Sequence, residues 1–110
     1  MVRRVAIGGE RGRWVAEVEG RWLAVIHHTL RQGPTGYRAA IAPEHPGQKR
    51  FQEFVAALEA HDLVVVQRDK DRETLARAGY VGVFRFADLR IDLEALELTL
   101  RLVERYADPR

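Results

Sequence analysis

Few residue types in this chain could do chemistry, and their spacing mostly argues against a shared site. His27 and His28 are adjacent, with His45 and His61 further along. Imidazole nitrogens ligate zinc and related metals, but neighbours on an extended strand point to opposite faces. The pair therefore cannot enter one tetrahedral site without a bulge. A core-edge His27 and a surface His28 is the expected arrangement, with no metal site. A Mg²⁺ or Mn²⁺ centre would need several carboxylates converging, because hard cations take several carboxylate oxygens at one point. The sequence has no Cys and no Ser. That removes thiolate nucleophiles, zinc-cysteine sites, disulfides and every Ser-His-Asp scheme. Thr29, Thr35, Thr74 and Thr99 remain, and none is N-terminal, where an α-amine could act as base. The inventory leans away from an enzyme and calls for no cofactor.

Binding chemistry is better represented. Trp22 and His28 share one face of a predicted hairpin with Arg13, a platform on which bases or a guanidinium could stack. The competing reading is that a second layer covers Trp22. Lys49 and Arg50 fall in the first turn of a predicted helix, where cations oppose the helix dipole but suit a nearby anion. With Arg38 and His45 close in sequence, they are the best phosphate-contact candidates, against the alternative of a solvated charged face. Gly8-Gly9-Glu10-Arg11-Gly12 is not a phosphate loop, since it lacks the Lys-Ser/Thr ending and a strand follows it. The mixed-sign run 67–73 reads as a solvated cap region.

The elements that would position these groups follow from periodicity. Residues 2–8 read as a short strand ended by the glycine-rich turn 8–12. Trp14–Glu19 and Arg21–Thr29 read as a β-hairpin turning at Glu19-Gly20, with Val18 opposite Arg21 and Glu17 opposite Trp22. One hairpin face then carries Trp14, Ala16, Val18, Leu23, Val25 and His27, and is the better core face. The other carries Arg13, Val15, Glu17, Trp22, Ala24, Ile26 and His28. Tyr37–Ala42 is a strand stopped by Pro43 and Pro46. Phe51, Phe54, Val55 and Leu58 recur at helical spacing, predicting a helix that ends near His61. Leu63–Gln67 suits a strand covered on both faces. A short helix over 72–78, stopped by Gly79, and a strand Tyr80–Phe86 come next.

The last segment supports two readings. Leu89, Ile91, Leu93, Leu96, Leu98, Leu100 and Leu102 alternate as two strands would. Against this, Glu94-Ala95 is a poor tight turn, Asp92 is a good N-cap, and Leu, Glu, Ala and Arg favour a helix. The sequence reading adopted is a helix over 93–107. The resulting fold class is α/β, an antiparallel hairpin sheet followed by helix-strand-helix-strand-helix.

Composition bounds the whole. At 110 residues, 46% hydrophobic and 31% charged, the chain is globular and has room for a single domain, 1–110. There are no internal repeats or linkers. A formal charge of +2 is nearly balanced, so any nucleic-acid contact must come from a local patch. The cations are 16 Arg and 2 Lys, a bias that suits phosphate recognition and that a GC-rich genome would also produce. Lack of Asn and Cys is one mark of a high-temperature origin. No run resembles a signal peptide or a membrane span, which predicts a cytoplasmic protein without membrane partners.

The predicted element order, with Val5-Ala-Ile-Gly-Gly-Glu-Arg-Gly-Arg-Trp-Val-Ala at its start, resembles the ribonuclease H-like domains. In that family the first strand ends in a metal-binding Asp; here Gly8 and Gly9 stand at that position and Glu10 is displaced into the turn. The resemblance would make Glu53, Asp69 and Asp92 the other acids, and implies a degenerate, non-catalytic member rather than a working nuclease. If 89–106 is strand instead, Asp62-Leu-Val-Val-Val, Gly79-Tyr-Val-Gly-Val-Phe-Arg and Leu96-Glu-Leu-Thr-Leu-Arg-Leu look like the later strands of a PUA-type β-barrel, a nucleic-acid-binding module. His61 stands where that pattern commonly has glycine. Three functions therefore remain. The first is a non-enzymatic nucleic-acid-binding domain using Arg13, Trp22, His28, Arg38, Lys49 and Arg50 toward RNA or DNA. The second is a protein-interaction or homo-oligomerisation module presenting Leu98, Leu102 and Tyr106. The third is a divalent-metal nuclease.

Overall fold

The computed structural model describes residues 3–8, 14–27, 31–32, 36–67 and 79–110. Strands β1 (Arg4–Val5), β2 (Val15–Val18), β3 (Arg21–His27), β4 (Arg31–Gln32) and β5 (Gly36–Ala40) precede helix α1 (Lys49–Ala60). Strands β6 (Leu63–Gln67), β7 (Tyr80–Asp92) and β8 (Glu97–Pro109) follow it. The sheet runs β2-β3-β6-β7-β8-β5-β4, and β1 lies beside the end of β8. Beyond β1, Gly8 bridges antiparallel to Glu17 of β2, with N–H···O distances of 2.9 and 2.7 Å. The first segment thus links the last strand back to the second, and the sheet curls into a nearly closed barrel.

Where the sequence speaks locally, the chain obeys it. Val18 pairs with Arg21 and Glu17 with Trp22. Glu19 and Gly20 both take positive φ (53° and 77°), the geometry that matches a two-residue turn to strand twist. The Phe51/Phe54/Val55/Leu58 pattern forms α1, ending at His61. Leu63–Val66 is buried on both faces, between parallel β3 and antiparallel β7.

That double burial splits the apolar residues into two cores. Val5, Val18, Leu23, Leu63, Val65 and Val83 fill the barrel interior. Alternate residues of the same strands, including Ala24, Ile26, Val64 and Val66, face outward. These pack against Phe51 and Leu58 of α1, Tyr37 of β5, and Leu98, Leu100 and Leu102 of β8. Both faces of the β2-β3 hairpin are therefore core faces. Trp14, expected on the Ala16/Val18 face, packs instead with the helix-side core.

The ribonuclease H-like order and the α/β class do not hold. The described residues contain one α-helix and a mixed, barrel-shaped sheet. In place of the helix expected over 93–107, Glu97–Pro109 forms β8, antiparallel to β7. Alternation won because it buries Leu98, Leu100 and Leu102 on one side, while Arg101 and Val103 remain outside. The turn is four residues long and avoids the two-residue geometry that Glu94-Ala95 would fit badly. Asp92 Oδ1 accepts from the backbone N–H of Glu94 and of Ala95, both at 3.0 Å, and Leu96 takes the left-handed φ of 53°. β7 is also longer than the expected Tyr80–Phe86. The short helix expected over 72–78 lies outside the described residues.

The apolar patch expected from Leu98, Leu102 and Tyr106 is also corrected. Leu98 and Leu102 are core residues, and Tyr106 is half-buried among Arg3, Arg21 and Glu19. On a strand, Leu98 and Leu102 share one face, here the one packed into the helix-side core, so neither is left for a partner.

No helix among the described residues is long and apolar enough to cross a membrane.

Candidate functional site

An aromatic pocket of about 320 Å³ opens between α1, β5 and the ends of β3 and β6. Each wall has a local cause. Pro43 and Pro46 end the β5 segment and set a 3₁₀ turn, His45–Gly47, ahead of α1. Within it, His45 N–H donates to Ala42 O at 2.9 Å, and Ala42 N–H donates to His45 Nδ1 at 3.1 Å. The ring is thus held at Nδ1, and in the neutral imidazole its own proton lies on Nε2. Phe51 and Phe54, three residues apart on α1, present neighbouring rings to the pocket. Tyr37 and Ala39 alternate onto it from β5, and Leu98 and Leu100 line it from β8.

The rings meet in a corner. Trp14 stands at 83° to His45, 87° to Phe51 and 87° to Phe54, with centroids 4.8, 6.2 and 5.7 Å away. His45 and Phe51 lie at only 20° to each other, 6.1 Å apart. One wall is therefore set by the plane of Trp14, and a second by rings perpendicular to it. His27 and Gln67, register partners at the carboxyl ends of parallel β3 and β6, supply polar groups to the lining.

Lys49 and Arg50 occupy the first turn of α1, bracketed in sequence by the pocket residues His45 and Phe51. Gln48 caps the helix without a side-chain hydrogen bond, and no acid lies in that turn. Among the other described residues six arginines are paired, whereas Arg4, Arg90 and Arg110 show no carboxylate partner there. Arg3 and Arg21 reach Glu19, Arg38 reaches Glu97, and Arg85 reaches Asp62 and Glu104. Arg101 meets Asp88 and Arg105 meets Asp108. Lys49 and Arg50 have no such carboxylate partner among the described residues.

The residues expected to form one binding surface are dispersed. Arg38 sits between Tyr37 and Ala39, so the strand period turns it away from the pocket, and Glu97 holds it at 2.6 Å. Trp22 is 42% exposed but belongs to a separate groove with Glu53, Ala56, Ala60 and His61, along the second half of α1. Lys49 and Arg50 adjoin the pocket residue Phe51 in sequence without lining the pocket, and Arg13 and His28 lie outside the described residues. Of the histidines, His27 and His45 share the pocket lining whereas His61 does not. Glu53 lies on α1 and Asp92 at the β7–β8 turn, while Glu10 and Asp69 are outside the described residues. Among the described residues, no three His, Asp or Glu gather as metal ligands.

The sequence reading missed the pocket because its rings carry core periodicity. Phe51 and Phe54 were needed to explain the helix, and Trp14 to explain the hairpin. Against family models, curated proteins and solved structures, the chain shows no match.

Proposed function

We propose that this chain is a non-enzymatic nucleic-acid-binding barrel that engages a single strand of RNA or DNA beside the start of α1. The observation that carries the reading is an aromatic pocket adjoined in sequence by two cations that lack carboxylate partners among the described residues. Lys49 and Arg50 would neutralise phosphates, and a base would stack against the neighbouring rings. Neutralised arginines such as Arg38 and Arg101 add little, because each already has an anion. The strands β6, β7 and β8 support the PUA-type alternative of the sequence reading, whose likeness depended on residues 89–106 being extended. Trp22 and Arg38 lie outside this interface. The protein would act where such strands occur, in the cytoplasm.

Fluorescence anisotropy with labelled single-stranded RNA and DNA at low ionic strength tests the reading. Binding that weakens as salt rises is expected, and Lys49→Gln with Arg50→Gln should weaken it about tenfold. No detectable binding of either strand would remove the proposal.

A further inference from the structure

We infer that the pocket admits one unstacked nucleobase, so that the protein grips a strand by a single inserted ring rather than by stacking several bases along a surface. This rests on the nucleic-acid reading and specifies which part of the ligand enters. Three observations support it. The first is size: about 320 Å³ is at the lower end for ligand pockets, suited to one base with part of its sugar. The second is shape. A planar ring lying against Trp14 meets His45 and Phe51 close to edge-on, and both offset stacking and edge-to-face contact are favourable for aromatic systems. An aliphatic chain would gain burial there but not the stacking and edge-to-face contributions that a ring adds.

The third is polarity. An apolar pocket with a few polar groups fixes a ligand's orientation through those groups. His45 has Nδ1 occupied by the Ala42 N–H, which leaves an Nε2–H donor on the same ring in its neutral form. Gln67 adds an amide able to donate and accept. A base edge carries ring nitrogens and exocyclic groups complementary to both, whereas a benzene-like side chain carries none. Lys49 and Arg50, next in sequence to the pocket wall, suit the phosphate that follows such a base.

Trp22→Phe leaves Trp14 as the one tryptophan, so its emission reports the pocket. Titration with adenosine, which carries no phosphate, should quench that emission saturably. Ala39→Phe, which fills the pocket from β5, should weaken adenosine binding about tenfold or more, and weaken binding of a single-stranded oligoadenylate by a similar factor. Phe54→Leu provides a milder second variant, and thermal melts show that each is folded. Oligonucleotide binding with normal salt dependence, no adenosine quench and no effect of Ala39→Phe would overturn the inserted base while sparing the nucleic-acid reading. Absence of binding by both adenosine and oligonucleotide would overturn both.

Discussion

Gly82 occupies a position that no other residue fits. Its φ is 155°, and a Cβ built there would stand 2.6 Å from an Arg105 nitrogen and 2.9 Å from the Ala107 carbonyl oxygen. The side chain of Arg105 can move, but the backbone of β8 cannot do so without breaking the β7–β8 ladder. Gly82 also lies at the register shift where Val66 pairs with Gly82 and Gln67 with Tyr80, skipping Val81. Gly82→Ala should destabilise the protein by about 2 kcal/mol, read as a lower midpoint in urea at unchanged slope. Lys49 and Arg50 make the opposite case, because both are exposed and without carboxylate partners among the described residues. Replacing both with Gln should alter stability by less than about 0.5 kcal/mol while weakening strand binding. Paired thermal melts and binding titrations check this separation. At this scale the sequence named Lys49 and Arg50 from their helix position alone, whereas Gly82 was indistinguishable from any strand glycine. Its close contact with Ala107 is set by a strand twenty-five residues later, which no local pattern encodes.

The β7–β8 hairpin shows how one set of residues can satisfy two local grammars. Asp92 followed by Glu94 and Glu97 is a helix-start signal because a carboxylate there accepts free backbone N–H groups. Asp92 does accept two such groups, but they belong to a turn. The chemistry was read correctly and attached to the wrong element. Helix propensity in Leu, Glu, Ala and Arg amounts to tenths of a kcal/mol per residue, whereas burying Leu98, Leu100 and Leu102 yields about 1.5–3 kcal/mol each. Asp92→Ala should therefore destabilise by about 1 kcal/mol through loss of the turn cap, and Asp92→Asn should retain most of it. Chemical denaturation of the two variants distinguishes this from a general charge effect. α1 was legible for the complementary reason: its apolar spacing has no strand interpretation, and Pro46 and Gly47 precede it.

At the scale of the molecule, the barrel depends on its first and last segments meeting. Asp108 N–H donates to Arg3 O at 2.8 Å, Arg110 N–H to Val5 O at 3.0 Å, and Gly8 exchanges both bonds with Glu17. Arg3, Arg21, Glu19 and Tyr106 fasten the same end, with the Arg3 and Arg21 guanidinium carbons 5.5 and 5.8 Å from the Tyr106 ring centre. Closure encloses the smaller core, where Leu23 is fully buried and Leu63 nearly so. Leu23→Ala should destabilise by about 2–5 kcal/mol, measurable by urea unfolding, because the ring of strands has little freedom to collapse around the gap. None of this closure was visible in the sequence, since it joins residues about a hundred positions apart and uses backbone groups that every residue carries. The pocket shares that origin: Trp14 just before β2, and β5, the 3₁₀ turn and α1, each contribute a ring or small residue that only the assembled barrel brings together.

The central claim is that a nucleic-acid strand binds through Lys49 and Arg50 beside the aromatic corner, and the salt dependence of single-strand affinity tests it most directly. Two phosphate contacts give a log–log slope of about −1.4, falling toward zero when both cations become Gln. A strand affinity that is undetectable at low ionic strength, or whose salt slope is the same in the double variant, would contradict it.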